Sequence, residues 1–144
     1  MTSEDAFERL VDTVIGGAGS KPVWGQRSRS FSRGFNDKQF AKRLRAYWGA
    51  DADPMRVRLA QEDGRFVAGV VHMVGDELQL NATDRRRVAV AVTRHRLLGE
   101  TDPSLATVDA AWRAWWPPPP GPEARERARD FLRAWREWLE QSRA

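Results

Sequence analysis

Cysteine is absent from the 144 residues, which excludes a disulfide framework, a thiol nucleophile and a thiolate metal site. Histidine occurs only as His72 and His95, so a metal site would rest on carboxylates, and Asp51-Ala52-Asp53 is too short a pattern to build one. Lysine is scarce, at three residues against 21 arginines, a skew that resembles the codon bias of a GC-rich genome. No apolar run approaches the ~20 residues needed to span a bilayer. The N-terminus is acidic, with Glu4 and Asp5, and lacks the basic-then-apolar layout of a signal peptide. These absences lead to the expectation of a cytoplasmic protein with no membrane contact, no metal and no cofactor.

What is present is ordinary for a globular protein: 41% hydrophobic and 31% charged residues, enough chain for one domain over residues 1–144. The stretch 55–82 contains three Val- and Leu-rich runs separated by Asp63-Gly64 and by Gly75-Asp76-Glu77. Glycine-containing breaks between β-rich runs predict a three-stranded antiparallel meander. A two-residue first turn and a three-residue second turn place Val57, Phe66, Val70 and Leu80 on one apolar face, because a single register step would invert every side chain. The expected fold class is therefore α+β, a meander packed with N-terminal helices and a C-terminal Trp-rich helical hairpin.

Helical signals surround this stretch. Phe7, Leu10, Val11, Val14 and Ile15 recur at helical spacing behind a Thr2 or Ser3 cap. Phe40, Leu44, Tyr47 and Trp48 form a second stripe, ended by Gly49. Residues 84–98 fit either a helix or a fourth strand, and the Thr83 cap, the alanines and the Leu97-Leu98-Gly99 ending favour helix. Asp102-Pro103 starts a helix with Trp112, Trp115 and Trp116 on its stripe. A proline-rich connector, 117–122, leads into a last helix with Phe131, Trp135 and Trp138 on one face.

Charge is laid out in blocks. Residues 21–45 hold eight basic residues against Asp37 alone, and residues 85–96 hold five arginines and no acid. Blocks of this kind are the footprint of a polyanion-binding surface, although they also arise on solvated faces and in internal ion pairs. In the arm 20–36 the arginines alternate with aromatics, so Arg27, Arg29 and Arg33 would meet phosphates while Trp24 and Phe31 stack on bases. Lys42, Arg43, Arg85, Arg86 and Arg87 would extend the phosphate contacts.

Catalytic patterns are thin. Gly16-Gly17-Ala18-Gly19-Ser20-Lys21 follows a helix and lacks the Gly-Lys-Ser/Thr ending of a phosphate-binding loop. His72 falls on the expected apolar face and reads as a core histidine, and His95 sits between Arg94 and Arg96, whose charge repels a metal cation. The expected function is a small non-catalytic binding protein with DNA or RNA as partner through the basic aromatic arm. The alternative is a protein-binding adaptor or regulatory subunit using a Trp-rich helical surface or an exposed sheet face. No pattern in the chain sets an oligomeric state.

Overall fold

The computed structural model describes residues 2–16, 37–117 and 119–143. Among them every regular element is helical and no strand is present, so the α+β expectation is wrong. The elements are α1 (Ser3–Gly16), α2 (Asp37–Trp48), α3 (Pro54–Glu77), α4 (Ala82–Val92), a π-helical turn (Thr93–Leu97), a 3-10 turn (Pro103–Leu105), α5 (Ala106–Trp115) and α6 (Glu123–Arg143).

The expected meander is replaced by α3 and the turn that follows it. Asp53 caps α3 by accepting a hydrogen bond from the Met55 amide at 3.0 Å, and Pro54 occupies the first turn, where its missing N–H costs nothing. Val57, Ala60, Gly64, Val67, Val71 and Val74 are all buried at alternating steps of three and four, a helical seam rather than a strand alternation. From Val67 to Val71 every residue is buried, because α1, α2, α4, the π turn and α6 all pack around this helix. A helix buried on all sides carries no polar stripe, which is why its valines resemble strands.

The two glycine signals also have other causes. Gly64 is a buried position within the seam. A Cβ on Gly75 would lie 2.5 Å from Arg85 Nη1, so this glycine lets the Arg85 side chain lie against α3. The true helix end comes at Gln79, whose φ is +52°. The Gln79 amide donates to the Asp76 carbonyl at 3.1 Å and the Leu80 amide to that of Gly75 at 2.8 Å, the paired bonds of a Schellman motif. Met55 and Leu59, which in a meander would share the face of Val57, are 58% and 55% exposed. Val70 is buried, while Phe66 and Leu80 are half-buried.

The helical expectations fare better. The Thr2 hydroxyl accepts from the Asp5 amide at 3.1 Å to cap α1, and Gly49, at φ +116°, ends α2. Residues 82–92 are helix, capped by Asn81 rather than Thr83, and the π turn carries the chain on to Leu97. Helices α5 and α6 pack together around an aromatic cluster: Trp115 stacks on Phe131 at 4.7 Å, and Trp112 meets the same ring edge-on at 5.2 Å. Trp112, Trp115 and Trp135 are buried, and Trp116 and Trp138 half-buried. The buried side chains form one continuous cluster running from Phe7 to Leu139.

Candidate polyanion-binding surfaces

The basic residues divide by where their charge is spent. Arg85 bridges to Asp76 at 2.9 Å and donates from Nε to the Leu80 carbonyl at 3.1 Å. Arg86 spans two carboxylates of α1, Asp12 at 2.8 Å and Glu8, and the hydrogen bonds it donates to Asp12 and then to Glu8 raise its already high pKa. Arg87 pairs with Asp84 at 3.2 Å and also reaches the Ser142 hydroxyl. The three arginines expected to meet phosphate thus hold the first turn of α4 against α1, α3 and α6. Asp84 is buried at 6% exposure and also takes Arg143 from the end of α6.

Other arginines lie over aromatic ring faces. Arg56 lies 3.9 Å over Trp48, Arg94 4.1 Å over Phe7 and Arg96 4.6 Å over Trp112. A planar, weakly hydrated guanidinium suits this role better than an ammonium. Asp109 gathers His95 at 3.1 Å, Arg113 at 2.9 Å and Arg96 at 3.5 Å, joining α5 to the π turn. Burial pushes the Asp109 carboxyl up, but the His95 hydrogen bond and the arginine charges outweigh it and hold the group below its ordinary value. Among the described residues no group of three or more His, Cys, Asp or Glu side chains is placed to hold a metal ion.

Among the described residues two basic surfaces are left over. On α2, Lys38, Lys42 and Arg45 are exposed and share a roughly 60° arc at 100° per residue. None of the three pairs with a carboxylate among the described residues. Arg43 lies off this ridge, half-buried, with its Nε buried and without a hydrogen-bond partner. Trp24, Arg27, Arg29, Phe31 and Arg33 lie outside the described residues, as do Asn36 and the glycine tract from Gly17 onward.

The second surface was missed by sequence reading. Three adjoining depressions of about 300 Å³ each form a groove between α6 and the end of α3 with its following turn. Arg125, Arg129, Arg133 and Arg136 line the α6 side, with half-buried Leu132 and a single acid, Glu140, among them, and Glu77, Leu78 and Leu80 line the other. A signal was present in the sequence. At 100° per residue Arg125, Arg129, Arg136 and Arg143 cluster within a roughly 40° arc, while Glu123, Glu126, Asp130 and Glu137 fall on a separate ridge. The balanced net charge of the helix conceals this segregation.

No family model, no curated protein and no solved structure matches the chain. No helix among the described residues is long and apolar enough to cross a membrane.

Proposed function

We propose that the protein binds nucleic acid through the basic block 21–45, with the exposed ridge of α2 at its C-terminal end. The observation that carries this reading is the contrast in pairing. Arg85, Arg86 and Arg87 are engaged within the fold, whereas Lys38, Lys42 and Arg45 project together with no carboxylate partner among the described residues. Arg86 also occupies Glu8 and Asp12, two of the four α1 acids that would otherwise be internal partners for the arm. Phosphate contacts of this kind are sequence-independent and displace condensed counterions.

The adaptor alternative has less to rest on. Among the described residues there is no sheet to expose a face, Trp112, Trp115 and Trp135 are buried, and Trp116 and Trp138 are half-buried.

A salt-titrated anisotropy assay with generic single- and double-stranded oligonucleotides tests the proposal. Replacing Lys38, Lys42 and Arg45 together by alanine should flatten the slope of log affinity against log salt by about 2 to 3 units, at 0.7–0.9 for each phosphate no longer engaged. Replacing Trp24 or Phe31 should weaken binding without changing the slope, since stacking releases no ions. Absence of binding at low salt, or a slope indifferent to the α2 triple variant, overturns the reading.

A further inference from the structure

The groove between α6 and the end of α3 points to a second site, and we infer that it docks an acidic amphipathic helix of a partner protein. Its two chemistries run side by side. Arg125, Arg129 and Arg136 form a ridge without carboxylate partners among the described residues, and half-buried Leu78, Leu80 and Leu132 lie alongside it. From Arg125 to Arg143 the α6 wall runs about 27 Å at 1.5 Å per residue, long for a small ligand and suited to a segment of polymer.

Charge complementarity requires an acidic occupant, and the floor decides between the acidic polymers. Single-stranded nucleic acid is held by rings on which bases stack. Among the described residues no aromatic side chain lines any of the three depressions, whereas leucines do. An amphipathic helix supplies both what the leucines and what the arginines lack: apolar side chains at i, i+3 and i+7, with carboxylates flanking them. Arg125 and Arg129 stand one helical step apart and Arg136 two turns further on, so carboxylates at helical spacing on the partner meet them in sequence. Arg133 also lines the groove, but it pairs with Asp130 at 3.4 Å, where the acidic side of α6 begins. That acidic side repels the same partner and confines it to the groove.

The test uses the full chain and a fluorescein-labelled helical peptide of about 18 residues, matched to the groove length at 1.5 Å per residue. Leucines occupy one face of the peptide and glutamates flank them; a second peptide carries glutamine for every glutamate. The glutamate peptide should bind, and the glutamine peptide should bind markedly less well. The variant Arg125→Glu, Arg129→Glu, Arg136→Glu should lose roughly tenfold or more, as three exposed ion pairs are each worth a few-fold. The glutamine triple variant serves in its place if charge reversal lowers the melting temperature. Leu78→Asn should weaken the peptide independently of salt. Failure of the glutamate peptide to bind, equal binding to the triple variant, or indifference to Leu78→Asn overturns the proposal. So does an oligonucleotide that, at about 0.15 M salt where the long-range field is screened, loses affinity on the triple variant as the peptide does, which would make the groove a nucleic-acid channel. The α2 variant should leave the peptide unaffected, so failure here is distinguishable from failure of the nucleic-acid reading.

Discussion

Asp109 shows how single charges tie this helical assembly together. Its carboxyl titrates below its ordinary value because His95, Arg113 and Arg96 favour the charged form more than burial opposes it. A carboxyl depressed in the folded state stabilises the protein above its unfolded pKa, and that contribution disappears as pH falls through the folded value. Stability should therefore drop below about pH 4, and Asp109→Asn should reduce that acid sensitivity while lowering stability at pH 7. Chemical denaturation of both proteins across pH 2 to 7 (a window set by ordinary carboxyl values) checks this; parallel pH profiles would refute it. Asp84 is the stricter case. It is buried and takes Arg87 and Arg143, so Asp84→Ala should cost about 1–3 kcal/mol through stranded donors. An unchanged denaturation midpoint would show that the two arginines find other partners.

At the scale of elements, legibility depends on how much of a helix faces water. Helices α1, α2, α5 and α6 each have a polar side, so their apolar stripes stand out from spacing alone. Helix α3 lies among five other elements, its middle is buried on all sides, and the contrast that reveals periodicity is missing. The dipeptide that opens it, Asp53-Pro54, is the same signal as Asp102-Pro103. At the other end, the residue that turns the chain is a glutamine, while the glycine that looks like a turn serves Arg85. The α2 ridge is partly visible in sequence through Lys42, but the engagement of Arg86 depends on Asp12 and Glu8, 74 and 78 residues away along the chain. The two secondary-structure readings predict different mutants. In the helix, Val57→Ala should cost about 2 kcal/mol for two buried methyl groups, while Leu59→Ala stays within about 0.5 kcal/mol. In a meander the two would share a face and cost alike. Gln79→Gly should stabilise by up to about 1 kcal/mol by relieving a left-handed non-glycine residue. On the hairpin side, Trp135→Ala should cost about 3–5 kcal/mol, because the ring is fully buried.

For the whole molecule, a formal net charge of +4 says little about where a polyanion is attracted. Among the described residues two basic surfaces remain after internal pairing, one on α2, which packs on α1 and α3, and one on α6, which packs on α5 and α3. Their electrostatic independence is set by salt, since the Debye length is about 30 Å at 0.01 M and about 8 Å at 0.15 M. Charge reversal at Arg125, Arg129 and Arg136 takes the formal net charge from +4 to −2. At 0.01 M salt the field of that change reaches across a protein of this size, so oligonucleotide association should slow and binding weaken even though α6 does not touch the nucleic acid. At 0.15 M the field is screened, and the reversed variant should bind oligonucleotide as the parent does. The α2 variant should behave differently, because in the proposed mode its cations sit directly on phosphates, and removing them should weaken binding at either salt and flatten the slope. Measuring both variants at both salts separates the long-range field from direct phosphate engagement. Equal weakening at low and high salt for the α6 variant would mean that nucleic acid lies in the groove itself, and the division of labour between the two surfaces would fall.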